Sequence, residues 1–503
     1  MALAPDLSSR VSHEAGLRRC AFLRDALVRD GLHDTQPASG LDEGDRPAFS
    51  TRWRISPDPV RLTSTEVAFF RTLGNHLLAF YRALNRLYVE SVRGSQPGWV
   101  AGYLDQGKPE SLISYSRMKR FRDLLPGVIR PDILPTEEGL VITELDSVPG
   151  GIGVTGSMSL AYAQAYEEPG AEHQDDSRCP ELVGGPDGYG MVRGFASMVQ
   201  ARIGDRSGCV AIVVSEEAKD YRPEMRWLAA QLREQGTEAW CVEPRDIRFT
   251  EEGLWVATQE EERPVALVYR FFELFDLKNV PKAELIMYSA KKEQTLVTPP
   301  FKPALEEKLA FALLHHPILT PFWRRELGEE TFDLLIRLMP RTWVLDPHPL
   351  PPTAVIPNLR LGGRAVADWR DLAHASQKDR RLVIKPSGFS ELAWGSRGVS
   401  IGHDLPQSEW AAALEIALTS FPTTPYILQE FHKGRQFDLS YYDEATGEMV
   451  PMSGRARLCP YYFVTGGRAE LAGILATVCP LDKKVIHGMR DAIMAPCAVT
   501  KES

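Results

Sequence analysis

The sequence predicts an α/β fold with α+β elements, in which a parallel-sheet unit lies between two regions of antiparallel strands. The parallel unit is indicated by a buried strand, CVAIVVS (209–215), an amphipathic helix closed by Gly236, RPEMRWLAAQLREQG (222–236), and a second strand, TEAWCVE (237–243). Together with a further strand at VALVYRFFEL (265–274), this order is typical of a βαβ unit. No GxGxxG motif follows the first strand, so the pattern does not favour a dinucleotide site.

Antiparallel pairing is predicted on both sides of this unit. Before it, GVIRPDIL (127–134) and GLVITELD (139–146) are short apolar runs separated by turn residues, which indicates a hairpin. After it, residues 381–402 have the pattern of a strand, a glycine-containing loop and a second strand. Residues 426–462 then read as antiparallel strands with hairpin turns.

Composition shifts after about residue 192 and after about residue 345 predict the domain boundaries. The predicted segments are a helical and loop segment at 1–60, a part with the hairpin at 61–192, the α/β unit at 193–345, and a last part at 346–503. The strongest helix pattern covers residues 63–92, where apolar residues recur at spacings of three and four and Thr63 or Ser64 can cap the first turn.

Composition limits the class of protein. Of 503 residues, 44% are apolar and 25% are charged, an ordinary globular balance, and the net charge of −9 argues against nucleic-acid binding. No apolar run approaches the roughly 18 residues of a membrane-spanning helix, and the first residues lack a secretory apolar core. The seven cysteines are scattered and form no CxxC, so we expect reduced thiols in a cytoplasmic enzyme.

The predicted hairpin carries three acids and one arginine in a spaced pattern. Arg130 and Asp132, like Glu144 and Asp146, are two positions apart on a strand, so each pair leaves the same face of the sheet. If the strands pair around the turn, the four side chains converge, and clustered carboxylates suit a magnesium ion carried by a phosphate. Arg130 suits a substrate carboxylate or a transferring phosphoryl group. An exposed charged face with one surface salt bridge would show the same spacing.

A Pro-Gly-Gly turn follows the hairpin, in VPGGIGVTGS (148–157). Such a turn brings backbone close to whatever lies beside the acids. The small residues Thr155 and Ser157 offer hydroxyl groups without bulk. We therefore expect this turn to contribute to the same site.

Lys385 ends an apolar strand in LVIKPSGF, which is unfavourable unless its ammonium meets an anion. The loop that follows contains Gly388, Gly395 and Gly398, which allow the backbone to close over phosphates and donate N–H groups to them. The loop is not a Walker motif, because GxxxxGK[ST] is absent. A lysine whose head group reaches solvent from a strand end is the alternative.

Three other places offer weaker indications. Gln429 and Glu430, at the end of the YILQE strand, suit hydrogen bonds to the edge of a nucleotide base. Arg455 and Arg457 share one face of a strand and suit a triphosphate or a substrate, although a solvated strand face is equally consistent. Lys308, at the start of a predicted helix, can face the nucleotide, although lysines on helices are usually exposed.

Together these motifs resemble the ATP-grasp ligases, specifically the circularly permuted group that contains glutathionylspermidine synthetase and eukaryotic glutathione synthetase. R-x-D, twelve positions from Asp to Glu, E-x-[ND] and a Pro-Gly turn match the magnesium-site hairpin of that group. In ordinary ATP-grasp chains the lysine strand precedes the acids, whereas here the acids precede Lys385 by about 240 residues. The resemblance spans about residues 60–500, and the hairpin and the IKP strand are its specific parts.

The resemblance implies a circularly permuted ATP-grasp fold with an inserted parallel-sheet α/β domain, and ATP and Mg²⁺ as cofactors. The roles it implies are magnesium ligands at Asp132, Glu144 and Asp146, stabilisation of the acid or acyl-phosphate by Arg130, phosphate contacts from Lys385 and Lys308, and an adenine hinge at Gln429 and Glu430. Asp146 stands where the family often has Asn. The glycine loop is longer than the family's, and within it Glu391 is a candidate for an extra metal ligand.

The activity implied by the resemblance is the joining of a carboxylate to an amine or thiol through an acyl-phosphate, with release of ADP and phosphate. The partners are then a small carboxylic acid and a nucleophile, with no nucleic acid and no membrane. A non-catalytic ATP-binding protein of the same fold and a phosphotransferase that stops at the phosphorylated substrate are the alternatives. The acid, the nucleophile and the oligomeric state stay open.

Overall fold

The structure is a computed structural model that describes residues 7–34, 53–167, 181–258, 261–395, 397–483, 486 and 491–500. Its helices are α1 (Leu7–Arg29), α2 (Ser64–Val92), α3 (Gly98–Asp105), α4 (Glu110–Ser116), α5 (Ile152–Glu167), α6 (Gly190–Ile203), α7 (Arg222–Glu234), α8 (Ala283–Lys291), α9 (Ala310–His315), α10 (Thr320–Leu338) and α11 (Gln407–Thr419). The first ten strands are β1 (Val60–Leu62), β2 (Val128–Thr136), β3 (Gly139–Asp146), β4 (Glu181–Leu182), β5 (Cys209–Val214), β6 (Ala239–Val242), β7 (Arg248–Thr250), β8 (Gly253–Ala257), β9 (Glu262–Phe271) and β10 (Leu296–Thr298). The others are β11 (Thr342–Val344), β12 (Arg360–Leu361), β13 (Arg364–Ala365), β14 (Leu382–Pro386), β15 (Ser400–Ile401), β16 (Tyr426–Glu430), β17 (Gln436–Asp443), β18 (Glu448–Thr465), β19 (Arg468–Pro480) and β20 (Ile493–Val499).

The largest sheet joins early and late parts of the chain. Its strand order is β1-β20-β19-β18-β2-β3, with β17 also paired to β18 and β4 to β20. All of these pairs are antiparallel except β1 with β20. Helix α2 packs on this sheet, where the Tyr462 hydroxyl donates to the carbonyl of Phe70 at 2.8 Å. The predicted hairpin thus pairs, through β2, with a strand more than 300 residues later in the sequence.

The predicted βαβ unit is confirmed. Strands β6, β5, β9 and β10 lie side by side and are parallel, and β8 and β7 extend the sheet in antiparallel fashion. Helix α7 connects β5 to β6, and Gly236 follows it with φ 83°, in the left-handed region that glycine adopts without strain. The strands are apolar because both faces are covered, and β5 is buried at every position.

A smaller antiparallel sheet has the order β11-β16-β14-β15. Its core includes Trp410 of α11, which is fully buried and donates from its ring nitrogen to the carbonyl of Leu372 at 2.8 Å. The strand–loop–strand pattern at 381–402 is confirmed as β14 and β15. The mixed α/β fold predicted from the sequence is therefore confirmed.

The long helix predicted at residues 63–92 is α2, and Thr63 caps it. The Thr63 hydroxyl accepts from the N–H of Glu66 at 3.1 Å, and the Glu66 carboxylate accepts from the N–H of Thr63 at 2.9 Å. This reciprocal pair satisfies two backbone donors that the helix leaves free. In the described part of the chain, no helix is both long enough and apolar enough to cross a membrane.

Candidate functional site

A cavity of about 1180 Å³ collects most of the predicted site residues. Strands of the largest sheet and of the β11-β16-β14-β15 sheet both contribute to its walls. The predicted residues that line it are Arg130, Asp132, Glu144, Asp146, Lys308, Lys385, Gly395, Gln429, Glu430, Arg455 and Arg457. Because these residues come from chain segments far apart in sequence, it is the tertiary fold that brings them together.

The predicted acid hairpin is formed by β2 and β3. Arg130 lies opposite Asp146 and Asp132 opposite Glu144 across β2 and β3. The register then shifts next to Asp132, so that Thr143 has no opposite residue. At this irregularity the Thr143 hydroxyl donates to the backbone carbonyl of Asp132 at 3.2 Å. The Thr143 carbonyl accepts from the ammonium of Lys385.

Asp132 is buried between two arginines. Its carboxylate oxygens lie 3.1 Å from Nη2 of Arg130 and 2.9 Å from Nη1 of Arg457, and Cys459 donates to it at 3.4 Å. Burial acts to raise the pKa of Asp132, but the two guanidinium groups outweigh it and the pKa is lowered. With 6% exposure, Asp132 does not belong to a solvated charged face. Arg130 is shared with Asp146, at 2.9 Å.

Glu144 and Asp146 are more open to the cavity, with side chains 31% and 28% exposed. Glu144 lies 2.7 Å from Nζ of Lys308. Burial would lower the pKa of Lys308, but Glu144 raises it overall, so the lysine stays charged. Burial raises the pKa of Asp146, although Arg130 opposes this effect.

Glu144 and Asp146 stay predicted magnesium ligands: one oxygen of Glu144 lies on Lys308, and the two oxygens of Asp146 lie on Arg130 and the N–H of Val148. Partly exposed carboxylate oxygens such as those of Glu144 and Asp146 suit magnesium that is already held by phosphates. Asp132, whose two oxygens bind arginines, stays a predicted ligand. Among the described residues, no group of three or more His, Cys, Asp or Glu side chains is arranged to hold a metal ion.

Lys385 is 7% exposed, so its head group does not reach solvent from the strand end. Its ammonium donates to the carbonyl of Thr143 at 2.9 Å. Burial lowers the pKa of Lys385 to about 8, with nearby Lys308 acting in the same direction and Glu144 opposing it. The two predicted phosphate lysines thus line one wall, close to the acids.

The three predicted loop glycines divide into two groups. Gly395 has φ 61° and lines the large cavity. Gly388 and Gly398 lie outside that lining and are places of close packing: a Cβ at Gly388 would lie 2.7 Å from the Glu306 carbonyl. The N–H of Gly398 donates to the carbonyl of Leu392 at 2.9 Å, so this group is already used inside the loop. That corrects the expectation that all three glycines present N–H groups to phosphates.

Glu391, the candidate extra metal ligand, is exposed and does not line the cavity. It begins a short 3₁₀ turn, Glu391–Ala393. The loop reaches the site instead through the Ala393 carbonyl, which accepts from Lys308 at 3.3 Å.

The predicted adenine hinge lies on an interior strand, since β16 is paired on both sides. The Gln429 side chain is buried and donates to the Thr342 hydroxyl at 3.0 Å, and the N–H of Glu430 donates to the carbonyl of Arg341 at 2.9 Å. The segment that follows, 431–434, also lines the cavity. Elsewhere in the lining, Arg455 donates to the carbonyl of Leu481 at 3.0 Å.

Glu224, which sequence reasoning missed, organises the Pro-Gly-Gly turn. This glutamate of α7 is 2% exposed, and its carboxylate accepts from the N–H groups of Gly151, Gly153 and Val154 at 2.8, 3.0 and 3.1 Å. Burial raises the pKa of Glu224 to about 7, against the lowering by these three donors. These three N–H groups are therefore bound by protein, while Gly150 and Gly151 line the cavity, so the turn contributes to the site as expected.

The two hydroxyl groups after this turn are also used inside the protein. Thr155 donates to the carbonyl of Gly151 at 2.6 Å, and Ser157 donates to Asp30 at 2.6 Å. Both residues are buried in helix α5. They stabilise the start of that helix and its packing on α1.

An aromatic pair forms another part of the cavity wall. Trp394 of the glycine loop and Tyr221 have ring centroids 5.7 Å apart, and both line the cavity. Arg397 lies over the Trp394 ring, 5.8 Å from its centroid. The loop thus brings aromatic surface to the cavity. Tryptophan in a loop is the sequence feature that indicates such a role.

No family model and no curated protein matches this sequence. Among solved structures, the chain is similar to a glutathione synthetase-like effector from Globodera pallida in its apo form, with a TM-score of 0.55 and 12% identity over 96% of this chain and 97% of that one. A protein described as "Putative gamma-glutamylcysteine synthetase" from Methylobacillus flagellatus has 10% identity over 88% of this chain and 90% of that one, at a TM-score of 0.37, too low to support an argument. The chain therefore shares the overall α/β fold of a glutathione synthetase-like protein.

Proposed function

We propose that this chain is an ATP-dependent ligase with a circularly permuted ATP-grasp fold, which joins a carboxylate to an amine or a thiol and releases ADP and phosphate. The observation that carries the proposal is the convergence of Glu144 and Asp146 with Lys308 and Lys385 in one cavity. Acids and lysines arranged in this way suit a metal-bound triphosphate. The fold shared with a glutathione synthetase-like protein supports the same chemistry.

In this proposal the nucleotide lies against the β11-β16-β14-β15 sheet. Its base would contact the segment around Gln429 and Glu430, and its phosphates would contact Lys385 and Lys308. Glu144 and Asp146, with Asp132 as the predicted third ligand, would hold magnesium, which supplies neutralisation of phosphate charge. The cavity exceeds the roughly 300–1,000 Å³ typical of a single ligand site. That leaves room for an acid beside the nucleotide.

The proposed reaction has two steps. An oxygen of the substrate carboxylate attacks the γ-phosphorus, and the bond to the β,γ-bridging oxygen breaks with its electron pair leaving on ADP. The nitrogen or sulfur of the nucleophile then attacks the acyl carbon, the bond to the phosphate oxygen breaks, and phosphate leaves with that pair while the nucleophile loses a proton. Lys308, Lys385 and Arg130 would stabilise the charge that develops on the transferred group.

One feature suits the protection of an acyl-phosphate from water, and a second suits the stabilisation of the charge that develops during the reaction. Trp394 and Tyr221 bring aromatic surface to the cavity wall. Arg130 and Arg457 are held by Asp132, so they are positioned before any ligand binds. Preorganised charges of this kind need no rearrangement when the reaction begins.

The experiment that tests the proposal is ADP and phosphate release from purified protein with Mg-ATP, across pools of amino acids, small carboxylic acids and polyamines. Hydroxylamine is added in parallel to trap an acyl-phosphate as a hydroxamate. Lys385→Ala is the inactive comparison, and Lys119→Ala, at an exposed lysine outside the cavity lining, is the matched control.

We expect acid-dependent ADP release with a hydroxamate, reduced about 10²–10³-fold in Lys385→Ala and unchanged in Lys119→Ala. A stable phosphorylated product without free phosphate would replace the ligase with a phosphotransferase. Tight Mg-ATP binding without turnover in any pool would favour the non-catalytic alternative. The absence of both turnover and Mg-ATP binding would refute the nucleotide site itself.

A further inference from the structure

Lys108 and Glu307 form an ion pair that the protein encloses completely. Nζ of Lys108 lies 2.5 Å from Oε1 of Glu307, and the two side chains are 0% and 1% exposed. Removing two charges from water is costly, and apolar side chains of similar volume are often at least as stable in their place. The pair is therefore better explained by what it positions than by the stability it adds.

Glu307 connects this pair to the start of the glycine loop. Its carboxylate accepts from the Ser387 hydroxyl and from the N–H of Phe389, the latter at 3.5 Å. The Lys108 ammonium lies 5.7 Å from the centroid of the Phe389 ring. A Cβ at Gly388 would lie 2.8 Å from Cδ of Glu307, so the loop backbone is in close contact with the carboxylate.

Ser387 connects the two segments that carry the phosphate lysines. Its carbonyl accepts from the N–H of Lys308 at 2.7 Å, and its hydroxyl oxygen accepts from the N–H of Leu309 at 2.9 Å. Ser387 follows Lys385 by two positions, and Glu307 immediately precedes Lys308. The relative position of the two lysines is thus set through Ser387 and Glu307.

Lys108 is itself held in place by the turn between α3 and α4. Gly107, with φ 75°, packs against the backbone of Thr423 so closely that a Cβ would overlap it. The Gln106 side chain donates to the carbonyl of Pro422 at 2.7 Å. A charge that is placed so firmly can fix the rotamer of Glu307.

We propose that Lys108 and Glu307 are positioning residues that hold Lys308, Lys385 and the start of the glycine loop in the geometry that binds the phosphates of a nucleotide. This inference rests on the proposed function, because it needs a nucleotide in the cavity. Neither residue lines that cavity, so each acts through the lysines and the loop backbone.

The test compares the affinities of ATP and adenosine, measured by calorimetry with magnesium present. The variant is the double substitution Lys108→Met with Glu307→Leu, which removes the charges but keeps apolar volume. We expect ATP affinity to fall by about 10–100-fold, since small misplacements of binding groups have effects of this order, while adenosine affinity is retained. General damage to the fold would weaken both ligands, so the ratio of the two affinities reports positioning.

Two further variants complete the experiment. Ser387→Ala keeps both charges of the ion pair but removes the hydroxyl that joins Glu307 to the N–H of Leu309, and it should lower the ATP-to-adenosine affinity ratio even if the double variant does not fold. Arg370→Gln with Glu415→Gln removes an exposed pair, 3.1 Å apart, and should leave the ratio unchanged. Native protein that binds ATP, with the same ratio in the Lys108/Glu307 and Ser387 variants, would overturn this inference alone. Native protein that does not bind ATP would overturn the proposed function and, with it, this inference.

Discussion

The substitution Asp132→Asn should destabilise the protein strongly, because it removes a buried charge that two arginines share. Asn has the shape of Asp but no charge, so packing is preserved while both ion pairs are lost. Arg130 keeps its contact with Asp146 at 2.9 Å, but Arg457 loses the carboxylate that lies 2.9 Å from its Nη1. Removing one partner of a buried ion pair typically lowers the free energy of unfolding by about 3–5 kcal/mol. Asp132 is buried, so we expect a loss in this range.

The assay is urea unfolding at pH 7, followed by tryptophan fluorescence and circular dichroism. The matched control is Glu415→Gln, in an exposed pair with Arg370, which should cost about 0–1 kcal/mol. The pKa of Asp132 is lowered in the folded protein, so its contribution is complete above the ordinary range of an aspartate and is lost as pH falls through the folded-state pKa. The difference in the free energy of unfolding between the native protein and Asp132→Asn should therefore become smaller in acid. If Asp132→Asn lowers the free energy of unfolding at pH 7 by no more than Glu415→Gln does, the reasoning is refuted.

Two more predictions concern the cavity. Because burial lowers the pKa of Lys385 to about 8, the lysine is charged below that pH, and ATP affinity should fall as pH rises above about 8. Calorimetry should show this decline in native protein and not in Lys385→Arg, since arginine stays charged; an identical decline in both would assign it to another group. Glu144→Gln should raise the magnesium concentration needed for ATP binding, as seen in titrations at fixed ATP, and an unchanged requirement would exclude Glu144 as a ligand.

Local patterns in the sequence predicted much of the secondary structure. The helix over 63–92 and its Thr63 cap follow from spacing and from a hydrogen bond between near neighbours. The pairing of β2 with β3 follows from two short strands joined by a tight turn, and the irregularity beside Asp132 then places Arg130 opposite Asp146. These features depend on residues close together in sequence, so the chain encodes them without reference to the rest of the fold.

Other features of the site could not be predicted, because they depend on contacts between distant segments. The N–H groups of Gly151 and Gly153 are bound by Glu224, about 70 residues away, and no sequence pattern indicated this contact. The buried pair of Lys108 and Glu307 had no indication in the sequence, since neither residue stands in a motif. Both arrangements depend on how α7 and the α3–α4 turn pack, and periodicity does not report that packing.

The sequence by itself determined the α/β class, the pairing of the acid hairpin and the types of residue suited to phosphate and metal, because each is set by local spacing and side-chain chemistry. The tertiary structure decided that Lys308 and Lys385 lie beside the acids and that Asp132 holds two arginines. Contacts between residues hundreds of positions apart form only when sheets and loops close around a shared core, and their energies depend on burial that no local pattern records.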